Sequence, residues 1–270
     1  MPSLTEHFGL TAAPFAAPLD DGDLWMPSSR RGVVEALLAS VTDRSKAILL
    51  VGEQGVGKTC VLRALRHRLP EAGHRLTYCH NATLGRRDFY RQHCHAIGLR
   101  PKATAAAVFH ALTQHVEGMA RESVHPVFLV DEAHLLHQDT LDHLHILTNY
   151  GWDARPLLTL VLVGLPELWD RMTLRCNRSL WSRVHCRLSI GDAVPRDTIE
   201  YLRHRLAAVG CDREIFGSDA LALLHEASAG RLRDIDRLAS AALHLATDRG
   251  LAIIDRAVLN VVIDRHHGRP

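Results

Sequence analysis

A glycine-rich run between an apolar strand pattern and an amphipathic helix pattern constrains this chain more than any other feature. Residues 47–51 (Ala-Ile-Leu-Leu-Val) form a short continuous apolar run, which is typical of a buried parallel strand. The next eight residues, Gly52 to Thr59, read Gly-x-x-x-x-Gly-Lys-Thr, and apolar residues at helical spacing follow from Val61 to Leu69. A strand, a glycine-rich turn and a helix in this order predict a phosphate-binding loop.

Each residue type in this run has a part in binding phosphate. Glycines let backbone N–H groups turn towards the phosphates, and the start of the helix adds the positive end of its dipole. We expect Lys58 to reach the β and γ phosphate oxygens of ATP, and the hydroxyl of Thr59 to bind Mg²⁺. The predicted nucleotide contacts are Gly52, Glu53, Gln54, Gly55, Val56, Gly57, Lys58, Thr59 and Cys60.

A second apolar run, 127–130, ends in two adjacent carboxylates about 70 residues further on. We expect this run to be a strand that lies beside the first, so that its end reaches the same phosphates. Asp131 would hold Mg²⁺ through its water shell, and Glu132 would orient the attacking water and accept its proton. Because both carboxylates are present, the sequence predicts hydrolysis of ATP as well as binding.

Phosphoryl transfer also needs positive charge and a polar sensor near the γ phosphate. In ring-forming ATPases a neighbouring subunit supplies one arginine, and a second arginine can reach the nucleotide from the helical domain. The candidates are Arg183 and then Arg178 for the neighbour's arginine, Arg233 and then Arg231 for the helical domain, and Asn149 or the strand end 163–164 for the sensor.

Apolar runs alternate with helical patterns as far as residue 190, which predicts a parallel sheet covered by helices on both faces. After Pro195 the apolar runs stop, and glycines separate four helical patterns. The fold class is therefore α/β: a P-loop NTPase with a parallel-sheet core and a C-terminal all-helical domain, an arrangement that resembles the AAA+ core with its lid domain. The predicted divisions are an extended N-terminal segment at 1–31, the ATPase core at 32–194 and the helical lid at 195–270.

Composition restricts the partners and the compartment only weakly. Lysine and arginine number 32 against 30 aspartate and glutamate, and the resulting net charge of +2 indicates neither nucleic acid nor a membrane surface. The six cysteines include no Cys-x-x-Cys pair, so neither a zinc knuckle nor a disulfide framework is indicated. No leader pattern and no window of about 18 apolar residues occurs, which predicts a cytoplasmic protein without a membrane anchor.

Several motifs together resemble those of the ExeA/GspA-type AAA+ ATPases, and the resemblance covers nearly the whole chain. That family contains membrane-bound accessory ATPases of general secretion and free-standing ATPases encoded beside DDE transposases. In the lid the family usually has a proline-arginine pair, where this chain reads Gly230-Arg-Leu-Arg233. The motifs that carry the resemblance are 8–10 with 14–15, the loop 52–59, and the segments 88–90, 131–135, 163–168 and 201–206.

The transposition type is the better match within this resemblance. Secretion members continue into a membrane helix and a cell-wall-binding domain, whereas this sequence ends at Pro270. The resemblance implies a homo-oligomeric ATPase, a ring or a filament, that assembles on DNA and recruits or regulates a transposase, with DNA contact that is largely independent of sequence. A secretion ATPase with no DNA role, or a nucleotide-gated scaffold with negligible turnover, are the alternatives. Candidate DNA contacts, or else subunit contacts, are Arg86, Arg87, Arg91, Arg100 and Lys102, and the arginines between Arg171 and Arg187.

Overall fold

The fold was obtained as a computed structural model, which describes residues 3–15, 20–79, 82–100, 104–151 and 153–267. Contacts divide the chain into two compact units, which we describe separately. The sheet unit consists of Ser28–Glu53 and Lys58–Ile190, and the helical unit consists of Met1–Pro27, Gln54–Gly57 and Gly191–Pro270. The division into domains at 1–31, 32–194 and 195–270 stays a prediction.

The sheet unit contains a five-stranded parallel sheet in the order β2-β3-β4-β1-β5. Every residue of β1, β3 and β4 is buried, because central strands are covered on both faces. The edge strands are partly exposed: β5 exposes alternate residues, and β2 exposes Arg75 and Tyr78. This confirms the predicted parallel sheet. The strands are β1 (Ala47–Gly52), β2 (His74–Cys79), β3 (His125–Val130), β4 (Thr159–Gly164) and β5 (Val184–Ile190).

The expectation that the strand before the acidic pair lies beside β1 is wrong, because β4 lies between them. Leu160 of β4 pairs with Ala47 of β1 on one side and with Phe128 of β3 on the other. All these strands run in the same direction, so β1 and β3 still end at the same edge of the sheet. The acidic pair therefore reaches the edge where the glycine-rich loop begins, across one intervening strand.

Helices connect the strands of this unit, as the alternating pattern predicts. Helix α5 begins at a capping residue, Thr104, whose side-chain oxygen accepts a hydrogen bond from the N–H of Ala107 at 3.2 Å. The helices are α2 (Ser28–Thr42), α3 (Lys58–Arg68), α4 (Arg86–Ala96), α5 (Ala105–Arg121), α6 (Gln138–Leu147), α7 (Glu167–Thr173) and α8 (Arg178–Trp181), with 3-10 turns at Ala133–Leu135 and Arg175–Asn177.

The helical unit combines four C-terminal helices with the N-terminal segment. Arg205 donates to the carbonyl oxygen of Pro14 at 2.8 Å, and Arg213 donates to that of Phe8 at 2.9 Å. Phe8 is buried in the same apolar core as the C-terminal helices, so the segment completes that core. The helices are α1 (Leu4–Phe8), α9 (Pro195–Ala207), α10 (Ser218–Ser228), α11 (Leu232–Asp248) and α12 (Arg256–His267).

The N-terminal segment differs from the extended conformation expected for residues 1–31. It contains α1, because the Ser3 hydroxyl accepts from the N–H of Glu6 while the Glu6 carboxylate accepts from the N–H of Ser3. This capping box is written in the sequence as Ser-x-x-Glu. The following helix, α2, begins at Ser28, inside the segment that was expected to be extended. Within the ranges described above, no helix is both long enough and apolar enough to cross a bilayer.

Candidate nucleotide-binding site

The glycine-rich loop joins the end of β1 to the first turn of α3. Gly55 and Gly57 have φ of 83° and 98°, a left-handed conformation that favours glycine. The Lys58 ammonium is nearly buried and donates to the carbonyl oxygens of Gly52 at 2.7 Å and Glu53 at 3.0 Å. These two bonds hold the cation over the start of the loop.

The loop has the donor groups that phosphates need. The N–H groups of Gly55 and Gly57 donate no hydrogen bond to any other described residue, and the first N–H groups of a helix have no partner within the helix. Thr59 is exposed in the first turn of α3, so its hydroxyl is accessible. A cation, turned backbone donors and an accessible hydroxyl fit a nucleotide phosphate with a hard metal ion.

The acidic pair begins at the end of β3, where both oxygens of Asp131 are hydrogen-bonded. Its Oδ1 accepts from the backbone N–H of Glu132 at 2.9 Å, and its Oδ2 accepts from the hydroxyl of Tyr78 at 2.8 Å. The aspartate is buried, with 7% of its surface exposed. The contact with Tyr78 comes from β2 and is not visible in the local sequence pattern.

Glu132 has a left-handed backbone, with φ of 51° and ψ of 34°, which is uncommon for a residue with a Cβ atom. Such conformations persist where the surrounding structure enforces them, often at active sites. The side chain is about half exposed, and its Oε2 lies 3.5 Å from Nδ1 of His134. Glu132 is therefore accessible to solvent and has a polar neighbour that the sequence analysis did not assign.

The two places proposed for a γ-phosphate sensor differ in what they offer. Asn149 is exposed, and its backbone N–H donates to the carbonyl oxygen of Ile146 at 3.1 Å. Val163 and Gly164, at the end of β4, have no polar side chain. A Cβ atom added at Gly164 would lie 3.2 Å from Nδ1 of His134. An imidazole nitrogen of His134 therefore lies close to the end of β4.

The two candidates for the neighbour's arginine lie in different surroundings. Arg183 is mostly buried: its guanidinium donates to the carbonyl oxygen of Ser179 at 2.7 Å and lies 3.5 Å from Oδ2 of Asp153. Arg178 is exposed at the start of α8, and its guanidinium contacts no acidic or polar group in the described part of the chain. Arg183 is therefore held by its own chain, whereas Arg178 projects into solvent.

Arg171 connects the segment after the acidic pair to the segment before α8. Its guanidinium donates to the carbonyl oxygens of His134 and, at 2.8 Å, Leu136. Its own carbonyl oxygen accepts from the buried side-chain amide of Asn177 at 2.7 Å, and the oxygen of that amide accepts from Gln138 at 2.7 Å. Arg171 is thus occupied within its own chain, although it belongs to one of the basic groups considered for DNA.

The helical unit contains the predicted lid arginines and the tip of the loop. The backbone N–H of Arg233 donates to the carbonyl oxygen of Gly55 at 3.4 Å. A Cβ atom added at Gly55 would lie 3.2 Å from the Cβ of Arg233 and 3.8 Å from that of Arg231. The start of α11 therefore contacts the loop tip closely, and the role of Arg233 in nucleotide binding stays a prediction.

Two known sequence groups resemble this chain. Residues 41–172 match the family model described as an AAA domain. The chain is 32% identical over 248 residues to General secretion pathway protein A of Aeromonas hydrophila, which covers 91% of this chain and 45% of that protein. The chain therefore spans less than half the length of this relative.

Solved structures share the fold at low sequence identity. The Aeropyrum pernix ORC1 protein, solved in complex with DNA, superposes with a TM-score of 0.67 and 18% identity over 94% of this chain and 68% of that one. Cdc6p from Pyrobaculum aerophilum gives a TM-score of 0.66 and 17% identity over 87% of this chain and 68% of that one. The sheet order, the glycine-rich loop and these superpositions together show the P-loop AAA+ fold, with a parallel-sheet core and a helical C-terminal part.

Proposed function

We propose that the chain binds ATP with Mg²⁺ and hydrolyses it to ADP and phosphate. The observation that carries this proposal is the arrangement around the loop, with the Lys58 ammonium over its start and two carboxylates at the end of β3. Thr59 and Asp131 would hold the metal, which when bound neutralises charge on the phosphate oxygens. Lys58 would contact the β and γ phosphates, and Glu132 would orient the attacking water and accept its proton.

We also propose that a homo-oligomer completes the site with an arginine from a neighbouring subunit. The exposure of Arg178 supports it over Arg183, whose guanidinium is engaged by Ser179 and Asp153. Light scattering with and without ATP tests the assembly. A protein that stays monomeric at all concentrations in the presence of ATP would contradict this part of the proposal.

We propose further that the ATPase assembles on DNA and regulates a transposase, acting in the cytoplasm. The fold shared with an ORC1 protein solved in complex with DNA supports a role on DNA. On this chain, the start of α4 has the exposed arginines Arg86 and Arg87, against a single carboxylate, Asp88. Such a cluster suits the phosphate backbone, which is read by charge and not by base identity. Lys102, also a candidate, lies outside the described residues.

Filter binding with duplex DNA tests the DNA role. Wild-type protein with ATP should bind duplexes of unrelated sequence, with an affinity that falls steeply as salt rises. Replacing Arg86 and Arg87 together by alanine should weaken binding to all sequences and reduce the slope of log affinity against log salt by about 1.8. The matched control replaces Arg196 and Arg203, two exposed arginines of α9 that pair with Glu200 and Glu214.

The second candidate function is assembly of a secretion system without a DNA role. Sequence identity favours this function: the chain is 32% identical to General secretion pathway protein A but only 18% identical to the ORC1 protein solved with DNA. The same filter-binding experiment separates the two functions. Absence of duplex binding at low salt, with and without ATP, from a protein that still hydrolyses ATP would exclude the DNA role and leave the secretion role.

A further inference from the structure

Tyr78 connects an edge strand of the sheet to the carboxylate proposed to hold the metal. It is the penultimate residue of β2, and its hydroxyl donates to Oδ2 of Asp131 at 2.8 Å. The other oxygen of this carboxylate accepts from the backbone N–H of Glu132 at 2.9 Å. One bond to each oxygen restricts rotation of the carboxylate about its Cβ–Cγ bond, so Tyr78 helps to fix its plane.

The hydroxyl of Tyr78 donates to a carboxylate that is largely shielded from solvent. Asp131 is buried, and a hydrogen bond to a charged group that has lost water is stronger than one in solution. The bond from the Tyr78 hydroxyl to Asp131 is therefore expected to be stronger than a bond between the same groups in water.

Tyr78 also lines the same cavity as Thr59, the second residue proposed to hold the metal. This open cavity has a volume of about 190 Å³, and its wall also includes Leu62, Leu129 and the arginines Arg63 and Arg66. Although mainly apolar, the cavity has the Thr59 side chain in its wall. Tyr78 thus contacts Asp131 directly and shares a cavity with Thr59, while 45% of its surface is exposed.

We propose that Tyr78 is a positioning residue for Mg²⁺, which orients the Asp131 carboxylate towards the metal and its water shell. The proposal rests on the metal-binding role given to Asp131 under the proposed function. Groups that orient metal-binding side chains typically contribute a factor of about 10 to 100 in metal affinity. Nothing in the strand pattern of β2 predicts this role, because an exposed tyrosine on an edge strand is ordinary.

Tyr78→Phe tests the proposal because it removes the hydroxyl and keeps the ring. We expect the Mg²⁺ concentration for half-maximal nucleotide binding, followed with a fluorescent ATP analogue, to rise about 10-fold or more. Nucleotide affinity without Mg²⁺ should be unchanged, and turnover at saturating Mg²⁺ should be close to wild type. The matched control is Tyr90→Phe, which removes a hydroxyl that lies 3.0 Å from Nδ1 of His143 in the same unit.

The possible outcomes are distinct. A Mg²⁺ titration of Tyr78→Phe that overlays those of the wild type and of Tyr90→Phe would overturn the proposal, even if the melting temperature fell. In an Asp131→Asn background, Tyr78→Phe should add no further shift, and an additive shift would also overturn it. If wild-type nucleotide binding did not respond to Mg²⁺ at all, the failure would lie in the proposed metal-binding function and not in Tyr78 alone.

Discussion

Oε2 of Glu132 lies 3.5 Å from Nδ1 of His134, and the same nitrogen lies 3.4 Å from the backbone nitrogen of Leu165. One imidazole nitrogen cannot donate to the carboxylate and accept from the Leu165 N–H at the same time. Because Nδ1 accepts from the Leu165 N–H, it has no proton to donate to Glu132, whose side chain is about half exposed. This arrangement connects the end of β3 to the segment that follows β4.

Glu132→Gln should separate nucleotide binding from hydrolysis. The amide keeps the shape of the side chain but loses the basicity that accepts a proton from water, a contribution of about 10²- to 10⁴-fold. We expect ATP affinity close to wild type and turnover lower by that factor, measured by phosphate release. Glu122→Gln, at an exposed glutamate after α5, is the control and should retain full turnover. Normal turnover in Glu132→Gln would assign the base to another residue.

Lys58→Ala should abolish nucleotide binding, because the β and γ oxygens lose the cation held over the loop. The matched control is Lys46→Ala in the same unit, where the ammonium donates to the carbonyl and carboxylate oxygens of Asp153. Isothermal titration with ATP and Mg²⁺ should detect binding to the Lys46 variant alone. Equal affinities of the two variants would contradict the assignment of the loop.

The loop and the acidic pair could be predicted from the sequence because their chemistry is local. Glycines with positive φ, a lysine at a helix start and carboxylates after an apolar strand each depend on a few adjacent residues. Strand positions also follow from the apolar pattern, since the run 47–51 lies within β1 (Ala47–Gly52). The glycine-rich loop, the acidic pair and the buried strands could therefore each be predicted from a short stretch of sequence.

The contacts between distant segments could not be predicted in this way. Tyr78 reaches Asp131 only because β2 is placed next to β3, and this order is a property of the whole sheet. The position of β4 between β1 and β3 has the same origin, since apolar runs show that strands are buried and not which strands are neighbours. His134, whose Nδ1 lies 3.5 Å from Glu132, follows the acidic pair closely in the sequence. Its position next to Gly164 at the end of β4 depends on the order of the strands.

Gly230→Ala should destabilise the helical unit far more than Gly250→Ala. Both glycines have left-handed backbones, with φ of 70° and 66°, so an alanine costs about 1 to 2 kcal/mol at either position. At Gly230 the added Cβ would also lie 2.2 Å from the carbonyl oxygen of Ala193, whereas at Gly250 it meets open space. We expect the free energy of unfolding to fall by about 3 kcal/mol or more for Gly230→Ala alone. Urea denaturation measures the difference, and equal losses would contradict the close approach.

Acid should weaken the sheet unit through His93. Burial lowers the pKa of this imidazole to about 4, against an ordinary value near 6.5, so the folded state resists protonation. Between these values the unfolded chain binds the proton more readily, and stability is lost as pH falls from about 6.5 to 4, with a slope of up to about 1.4 kcal/mol per pH unit. The His93 ring packs against Phe89 and Phe128, and its Nε2 has no hydrogen-bond partner among the described residues.

His93→Phe should therefore flatten the dependence of unfolding free energy on pH between 6.5 and 4. A second buried histidine, His125, also has a pKa lowered to about 4 by burial and should leave part of the slope in place. The control is His95→Gln, at an exposed histidine of the same helix, which should leave the slope unchanged. Urea denaturation at a series of pH values measures it, and an unchanged slope in His93→Phe would exclude His93 as a source of acid sensitivity.

Arg178→Ala and Arg183→Ala should impair the protein differently, because the Arg178 guanidinium is exposed, whereas that of Arg183 contacts Ser179 and Asp153. Removal of an arginine that a neighbouring subunit supplies to phosphoryl transfer lowers turnover by about 10³-fold while ATP still binds. We expect this result for Arg178, which is exposed. Arg183→Ala should instead lower the melting temperature, because the contacts with Ser179 and Asp153 are lost.

Mixing variants tests whether Arg178 acts on a neighbouring subunit. An oligomer of Arg178→Ala and Glu132→Gln subunits contains interfaces where an intact Glu132 faces an intact Arg178, so part of the turnover should return. Mixing Arg178→Ala with Lys58→Ala should also restore turnover, because the Lys58 variant keeps its arginine. An arginine that acts within its own chain predicts no recovery in either mixture. The opposite result would be full turnover in Arg178→Ala and a large loss of turnover in an Arg183→Ala protein that is still folded. That result would assign the neighbour's arginine to Arg183, which would then have to leave Asp153 when the subunits assemble.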